Sequence, residues 1–396
     1  MNETIVRIAA KGDGVTASGR HVTGAVTGDN VDANGTVTPG PHHVAPPCRH
    51  FGTCGGCQLQ HANESALAEF VTQRVVNAAE GQGVPINTVL PTHLSPPHSR
   101  RRATLHGLRR RGGAVLGFKE QRSNRIVDVQ ECPVLVPDLL ALVAPLRKLV
   151  ARFAGAHPVD IALTVADQGV DCAVRGIETG GLQQAEAFLQ LAQTHRLARL
   201  SLDEGYGPLS VWEPNPVTKT LGGVPVGLPA GAFLQATADG EECLVADVEA
   251  SLDGAATVAD LFAGLGTFAF ALSANAKVLA VEGSRDAYLA CQSAANRPGR
   301  PVAALHRDLF RNPLRADELD RFDAVVLDPP RAGAREQVAQ IGASNITRVA
   351  YISCNPSSWA RDAKSLLEAG FRLETVRPVG QFRWSTHVEL TSLFVR

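Results

Sequence analysis

The later part of the chain alternates short apolar runs with amphipathic segments. The apolar runs are residues 257–262 and the strand-like stretches KVLAVEG, FDAVVLDPP and RVAYISC, and a helix-like segment, DGEECLVADVEASL, precedes them. Buried runs of about four to six apolar residues that alternate with helices are typical of a doubly wound parallel sheet. The pattern therefore predicts an α/β domain over residues 241–396.

The earlier part of the chain has a different pattern. Residues 1–45 consist of short strand-like pieces broken by glycines, which predicts a small β unit. The stretch TVTPGPHHVAPP indicates a linker, because proline cannot continue a helix and disfavours a central strand. Residues 46–240 mix helical stretches, such as PDLLALVAPLRKLVARFAG, with strand-like ones, such as DIALTVADQGVDCAVRG. This mixture predicts a central α+β domain.

Composition limits the classes of protein to which the chain can belong. The 396 residues are 44% hydrophobic and 19% charged, which is typical of a globular protein with a substantial core. No signal peptide and no apolar run of about eighteen residues is visible, so we expect a cytoplasmic protein without a membrane span. We also expect a monomer. The eight cysteines are then reduced thiols or metal ligands rather than disulfides.

The net charge of −1 does not by itself indicate a nucleic-acid partner, but the charge is locally uneven. The stretch HSRRRATLHGLRRRGG carries six arginines, and no acidic residue lies between Glu80 and Glu120. RGG is typical of a hairpin turn, and guanidinium groups offer forked donors that suit phosphates. The stretch therefore predicts a nucleic-acid contact, with a solvated charged face as the alternative.

Three cysteines lie within ten residues, in CRHFGTCGGCQLQH. They are Cys48, Cys54 and Cys57, and the two glycines before Cys57 let the backbone wrap around a common centre. Cys132, in QECPVL, is the candidate fourth ligand of a zinc ion or an iron–sulfur cluster, and the spacing does not distinguish the two. The alternative is that Cys132 belongs to the core. Buried filler is the better interpretation for Cys172, Cys243 and Cys291.

A glycine turn between a strand and a helix indicates a nucleotide-type pocket. Gly264 and Gly266 in DLFAGLGTFA allow close approach of a ligand, and Glu282 at the end of the next strand can accept hydrogen bonds from a ribose. NAD and S-adenosylmethionine both carry a ribose. The Asp328-Pro-Pro loop at a strand end favours S-adenosylmethionine. Amino-group methyltransferases use a similar loop followed by an aromatic residue, but here Arg331 follows.

Cys354 follows an apolar run in YISCNPSSWARD. Its immediate neighbours do not distinguish a small apolar filler from a nucleophile. Its position at the end of a strand of the predicted sheet, where ligands bind in such folds, makes it a candidate for chemistry.

Together these motifs resemble the S-adenosylmethionine-dependent RNA uracil-C5 methyltransferases, specifically the iron–sulfur branch that modifies ribosomal RNA. The matching stretches are CRHFGTCGGCQLQH with ECPVL, GAFLQAT, DLFAGLGTF, VEG, LDPPRAGA, SCNPSSWARD and HVEL. The resemblance implies a Rossmann-like class I methyltransferase domain, an RNA substrate, and S-adenosylmethionine and a [4Fe-4S] cluster as cofactors. The first residues resemble a shortened OB-like (TRAM-like) RNA-binding domain, whose linker comes too early for a full five-stranded barrel.

The resemblance also implies roles for single residues. Cys354 matches the nucleophile and Glu389 the general base, while Arg383 and Trp384 depart from the usual residues before that base. The positions that match cofactor-binding residues are Gln235, Phe262, Glu282, Asp308 and Asp328. The positions that match cluster ligands are Cys48, Cys54, Cys57 and Cys132.

The implied chemistry explains why a thiol is needed. Carbon 5 of uracil is a weak nucleophile until a thiolate adds to carbon 6, and a base must later remove the carbon-5 proton. The target base must leave its stack to reach both groups. Alternatives are a tRNA uracil-C5 methyltransferase, an amino-group methyltransferase that does not need Cys354, a non-catalytic RNA-binding module with zinc, and an NAD oxidoreductase.

Overall fold

The computed structural model describes residues 2–178, 180–297 and 299–396. The strands are β1 (Glu3–Ile8), β2 (Gly14–Thr16), β3 (His21–Val22), β4 (Asn30–Val31), β5 (Val37–Thr38), β6 (Thr88–Val89), β7 (His93–Leu94), β8 (Arg102–Arg110), β9 (Gly113–Lys119), β10 (Ile126–Asp128), β11 (Val159–Ala166), β12 (Gly169–Arg175), β13 (Arg199–Asp203), β14 (Leu209–Trp212), β15 (Thr218–Leu221), β16 (Val224–Gly227), β17 (Thr257–Leu261), β18 (Lys277–Glu282), β19 (Val302–His306), β20 (Ala324–Leu327), β21 (Arg348–Ser353), β22 (Arg372–Gly380) and β23 (Glu389–Val395). The helices are α1 (Glu64–Glu80), α2 (Pro137–Phe153), α3 (Leu182–Thr194), α4 (Ala238–Ser251), α5 (Thr267–Leu272), α6 (Arg285–Ala295), α7 (Ala316–Leu319), α8 (Arg335–Ala343) and α9 (Pro356–Glu368).

The first five strands form a small antiparallel sheet in the order β3-β2-β1-β4-β5. Four strands precede the predicted proline-rich linker and the fifth, β5, lies at its start, and four of the five span only two or three residues. Its apolar core is correspondingly small and consists of Ile5, Val22, Ala25 and Val31.

A seven-stranded sheet follows, in the order β10-β9-β8-β11-β12-β13-β14. Its neighbouring strands are antiparallel except for β12 and β13, and α2 and α3 pack on it. β8 and β9 form the predicted arginine-rich hairpin, with Gly112 at a φ of 87° in the turn. A left-handed φ of this kind favours glycine, which is why RGG ends the strand there.

The largest sheet has nine strands, with five parallel strands in the order β19-β18-β17-β20-β21. β23 is antiparallel to both neighbours and lies between β21 and β22. One face of the sheet packs against α1, α8 and α9, and the other packs against α4, α5 and α6. The predicted Rossmann-like α/β fold is confirmed.

Residues 64–94 pack against the largest sheet rather than the central one. α1 contacts α9 and β22, and β6 and β7 both pair in parallel with β22. Pairing over such a long sequence separation leaves no local signal in the sequence. The division into domains of residues 1–45, 46–240 and 241–396 stays a prediction. No helix among the described residues is long and apolar enough to span a bilayer.

Candidate active site and cysteine cavity

Three predicted site residues directly follow neighbouring parallel strands. Phe262 follows β17, Asp328 follows β20 and Cys354 follows β21. β20 pairs with β17 on one side and with β21 on the other, and the amide of Asp328 donates to Leu261 O at 3.2 Å. Because carboxyl ends of parallel strands meet at one sheet edge, the three residues share the position where ligands bind in such folds.

The register of β23 brings Glu389 to the same edge. Ser353 in β21 pairs with Leu390 in β23, and this is the last pair of the antiparallel ladder. Cys354 and Glu389 are the residues directly beyond it on the two chain segments, and Glu389 is near enough to add to burial in raising the pKa of Cys354. Glu389 is only 5% exposed, because strands flank it on both sides. The predicted nucleophile and the predicted base are therefore cross-strand neighbours.

The electrostatics of this pair follow from burial. Burial raises the pKa of Glu389 to about 7, against the lowering effects of a hydrogen bond with Gln381 and of two nearby arginines. Burial, Glu389 and Asp328 raise the pKa of Cys354 to about 11, and a hydrogen bond from Arg331 opposes that rise. Burial, with Glu389 next, also raises the pKa of Asp328 well above its usual value. The site holds a protonated thiol beside a carboxyl group that titrates near neutral pH.

Arg331 is the cation of this site, and its role was not among the predicted ones. Its backbone carbonyl accepts a hydrogen bond from Asn355 Nδ2 at 2.9 Å, and its Nη2 lies 2.9 Å from His387 Nδ1. It therefore links the loop after β20, the nucleophile loop and the residue two before Glu389. The sequence marked this position as a departure from amino-group methyltransferases and as part of the matching stretch LDPPRAGA, but it gave Arg331 no role of its own.

Gln381 is a second residue that the sequence did not indicate. Its Nε2 donates to Gln235 Oε1 at 2.8 Å, and its Oε1 accepts from the amide of Ala236 at 2.9 Å. Gln381 also hydrogen-bonds Glu389. The predicted cofactor residue Gln235 is thus joined to the predicted base by one buried amide.

The glycine turn after β17 approaches Glu282 as predicted. The Glu282 carboxylate accepts hydrogen bonds from the amides of Gly264 at 2.8 Å and Ser284 at 2.5 Å. Gly264 has a φ of 57°, and a Cβ built on it would meet open space. A carboxylate fixed next to an open glycine turn fits the ribose end of a nucleoside such as that of S-adenosylmethionine.

Two phenylalanines extend this pocket towards Asp308. The rings of Phe262 and Phe310 are 5.3 Å apart, and Phe310 is 47% exposed. Asp308 Oδ1 accepts the amide of Phe310 at 3.0 Å and so fixes the loop after β19. Phe262 itself has a φ of 64°, a strained value for a bulky residue that is common at binding sites. An aromatic face beside a carboxylate fits an adenine ring.

The arginine run divides among three environments. The guanidinium of Arg100 lies 5.5 Å from the ring centre of Phe382, and that of Arg102 lies 4.5 Å from the ring centre of Phe233. Arg101 instead points inward, where it pairs with Glu241 at 2.6 Å and donates to the backbone carbonyl of Gln235. The arginines at the hairpin turn, Arg109, Arg110 and Arg111, are exposed.

A cleft of about 690 Å³ separates the central sheet from the candidate active site. Its walls come from β8, β9, β11, the cysteine segment and the loop before Glu389. The cations Arg100, Arg102 and Arg331 line it together with Lys119, Arg122 and His387, so positive charge converges on it. A cleft of this size and charge suits a segment of a phosphate-backbone polymer.

The four predicted cluster ligands line one cavity. Cys48, Cys54, Cys57 and Cys132 share it with mainly apolar side chains such as Phe118. Burial raises the pKa of Cys57 to about 12 and also raises the pKa values of Cys54 and Cys132. Within residues 2–178, 180–297 and 299–396, no group of three or more His, Cys, Asp or Glu is arranged to hold a metal ion. The structure thus gathers the thiols, while their metal stays a prediction.

The other three cysteines lie elsewhere. Cys172 and Cys291 are buried, and Cys243 is half-buried next to Asp247 and Arg377. Their placement agrees with a packing role rather than a shared site.

Comparison with known proteins gives consistent matches. A family model described as tRNA (uracil-5-)-methyltransferase matches residues 304–396. An uncharacterized RNA methyltransferase of Zymomonas mobilis is 46% identical, with 99% of each chain covered. A 23S rRNA (uracil(1939)-C(5))-methyltransferase of Thiobacillus denitrificans is 30% identical, with 93% of this chain and 89% of the relative covered.

A solved structure agrees in fold. The tRNA (uracil-54, C5)-methyltransferase of Pyrococcus abyssi, in complex with S-adenosyl-L-homocysteine, superposes with a TM-score of 0.75 at 19% identity and covers all of both chains. Over nearly its whole length, this chain belongs to the family of S-adenosylmethionine-dependent RNA uracil-C5 methyltransferases.

Proposed function

We propose that this protein methylates carbon 5 of a uridine in 23S ribosomal RNA through a covalent bond between Cys354 and carbon 6. The observation that carries this proposal is the cross-strand placement of Cys354 and the buried Glu389 at the sheet edge. The Thiobacillus denitrificans relative supports ribosomal RNA as the substrate. The family model and the Pyrococcus abyssi structure make tRNA the second candidate.

Cys354 opens the reaction in this proposal. Its thiol gives its proton to solvent water, and the thiolate forms a bond to carbon 6 while the π electron pair of the carbon 5–carbon 6 double bond moves towards carbon 5 and the ring carbonyl. Arg331 favours the thiolate, since its positive charge and its hydrogen bond both lower the pKa of Cys354. When bound, S-adenosylmethionine supplies an electrophilic methyl group to carbon 5.

Glu389 completes the reaction. Its carboxylate accepts the proton from carbon 5, the electron pair re-forms the double bond, and the sulfur–carbon 6 bond breaks to release Cys354. A pKa of about 7 suits this step, because the carboxylate is a stronger base than a solvated one and is still ionised near neutral pH. Gln381 orients the carboxyl group through its hydrogen bond.

We assign the S-adenosylmethionine site to the pocket that follows β17, β18, β19 and β20. Its residues are Gln235, Phe262, Glu282, Asp308 and Asp328. Glu282 is the acceptor for ribose hydroxyls, and Phe262 offers the aromatic face for adenine. Cytoplasmic location and action as a monomer belong to the same proposal.

We assign a [4Fe-4S] cluster to Cys48, Cys54, Cys57 and Cys132. The support is a set of four thiols that line one cavity with apolar walls. Zinc is the second candidate, because it accepts the same donors. Methyl transfer needs no electron, so the cluster has a structural role in this proposal.

The substrate is tested by mapping 5-methyluridine in ribosomal and transfer RNA from a strain that lacks the protein. We expect one 23S position to lose its methyl group and to regain it with the wild-type gene but not with Cys354→Ala. Loss in tRNA alone would select the second candidate. An unchanged methylation map in both RNAs would contradict the proposal.

The covalent step is tested with Glu389→Gln. This variant forms the bond to carbon 6 but cannot remove the carbon-5 proton, so a protein–RNA adduct should accumulate and survive denaturing electrophoresis. The double variant Cys354→Ala, Glu389→Gln is the control and should give no adduct. An adduct in the double variant would remove Cys354 as the nucleophile.

A further inference from the structure

The loop between β22 and β23 brings four residues to the cleft, and two of them, Phe382 and His387, carry rings. This cleft loop spans residues 382–387. At its centre, Trp384 is only 7% exposed and has a φ of 60°. Trp384 lines a small pocket together with Leu67 and Phe70 of α1. A bulky residue in the left-handed region persists only where its surroundings hold it there.

The cysteine segment provides the first of these restraints. The carbonyl of Trp384 accepts hydrogen bonds from the amides of Gln58 at 2.7 Å and Leu59 at 2.9 Å. These two amides directly follow Cys57. Both donors point at one carbonyl, so the path of the backbone after Cys57 fixes the position of the cleft loop.

Arg100 provides a second link between the same two regions. It lines the cysteine cavity and also the cleft, and its guanidinium lies over the ring of Phe382. Because one guanidinium borders both regions, a shift of the cysteine segment would also move the cation that stacks on Phe382.

The far side of the cleft loop is closed by α1. Arg383 pairs with Glu64 at the start of that helix and donates to the carbonyl of Ser95 at 2.9 Å. At the other end of the loop, His387 meets Arg331, which hydrogen-bonds Cys354. A continuous set of contacts thus runs from the cysteine segment to the nucleophile.

We propose that the cysteine segment, residues 48–59, positions the cleft loop for RNA, so that losing its metal cluster impairs methylation by releasing Phe382 and His387. The proposal rests on the proposed function in that it takes the four cysteines as cluster ligands. Arg100 and Trp384 act as positioning residues, because each acts through the cleft loop. The cluster contributes to the reaction without any change of its oxidation state.

Amide hydrogen exchange tests the link without any methylation assay. We compare cluster-loaded protein with the same protein after iron chelation, and we follow peptides from residues 382–387 and from α9. Loss of the cluster should speed exchange in the cleft loop at least ten-fold and leave α9 within two-fold. Unchanged exchange in the cleft loop after the visible absorbance has gone would overturn the proposal, as would an equal rise in α9.

Arg100 variants separate positioning from folding. Arg100→Ala should keep the visible absorbance and S-adenosylmethionine binding, speed exchange in the cleft loop and raise the KM for RNA ten-fold or more with a smaller change in kcat. Arg100→Lys should recover part of both effects, and Arg175→Ala, on the exposed end of β12, should match the wild type. Wild-type exchange and KM in Arg100→Ala would overturn the proposal.

Two further outcomes keep this proposal distinct from the proposed function. If Arg100→Ala does not fold, Phe382→Leu removes the stacked ring and should speed exchange in the remaining loop residues; wild-type exchange there would overturn the link. If the isolated protein contains no iron, the cluster assignment fails. The contact between the cysteine segment and the cleft loop is then tested with Trp384→Gly. Faster exchange of the Gln58 and Leu59 amides than in the wild type supports the contact, and unchanged exchange contradicts it.

Discussion

Two sites with half-buried thiols, the cysteine cavity and the surroundings of Cys354, differ mainly in the residues next to the sulfur atoms. Cys54, Cys57 and Cys132 face one another and apolar side chains, and burial is the first cause of their raised pKa values. Burial is also the first cause at Cys354, but two carboxyl groups and the hydrogen-bonding Arg331 follow it. A similar depth of burial therefore occurs at the proposed cluster ligands in one place and at the proposed nucleophile in the other.

The comparison shows which features of the surroundings indicate the function of a thiol. The cysteine cavity gathers four thiols, with Glu131 and Arg100 also in its lining, and several thiols at one place suit the proposed metal cluster. A single thiol between a base and a cation can lose its proton, attack and later be released. The number of thiols and the groups next to them, rather than exposure, distinguish the two regions.

The largest expected effect separates the two thiol regions by activity. Cys354→Ala should lower methylation at least about 10³-fold, since no other group can add to carbon 6. Titration calorimetry should give S-adenosylmethionine affinity within about three-fold of the wild type, and the visible absorbance should be unchanged. Cys172→Ala, at a buried packing position, is the control and should keep its activity. Methylation by Cys354→Ala would place the nucleophile elsewhere.

The next effect separates the regions by metal content. Cys132→Ser should abolish the visible iron–sulfur absorbance, because a serine hydroxyl is a poor substitute for a thiolate ligand. Cys243→Ser is the matched control, since Cys243 lies outside the cavity, and it should retain the absorbance. Iron content measured on both variants checks the result. Full iron content in Cys132→Ser would show that Cys132 belongs to the core instead.

A smaller effect tests the charges around Cys354. Removing the carboxylate in Glu389→Gln should lower the pKa of Cys354, whereas Arg331→Ala should raise it. A lower pKa gives more thiolate at a given pH, so iodoacetamide should alkylate Cys354 faster in the first variant and slower in the second. A change of one pKa unit would alter the rate about ten-fold. Parallel changes in both variants would refute the charge balance described above.

The smallest effect concerns pH. Glu389 must be ionised to accept a proton, so the decay of the methylated protein–RNA adduct, a step that follows thiolate addition, should become faster with rising pH through about 7, the pKa to which burial raises this carboxyl group. Below that value, the rate should fall by about ten-fold per pH unit. Arg175→Ala should leave the midpoint unchanged. A rate that does not change between about pH 6 and about pH 8 would argue against Glu389 as the base.

The sequence predicted the sheet and the residues at its edge because parallel strands leave a local signature. Phe262, Asp328 and Cys354 each end an apolar run, so their convergence follows from topology. Glu389 was different, because alternation in HVEL cannot distinguish a carboxylate that faces water from one buried between two strands. Only the register of β23 settles its burial.

The residues that sequence reasoning missed act over long separations. Gln381 meets Gln235 across 146 positions of the chain, and no local pattern marks such a partner. The arginine run shows a second limit of sequence reasoning, because a clear local pattern does not determine the direction of each side chain. It was predicted as one nucleic-acid contact, yet Arg101 points inward to Glu241 while Arg100 and Arg102 face the cleft. Side-chain direction in alternating strand residues depends on the neighbouring sheets rather than on composition.

The insertion of β23 between β21 and β22 has a consequence for the order of synthesis. The thiol at the end of β21 is made before the strand that supplies the base, and that strand must enter a gap between two existing neighbours. A partly folded chain therefore carries the thiol at the sheet edge before the carboxyl group of Glu389 lies beside it. Insertion of β23 completes the sheet and brings these two groups together in the same folding event.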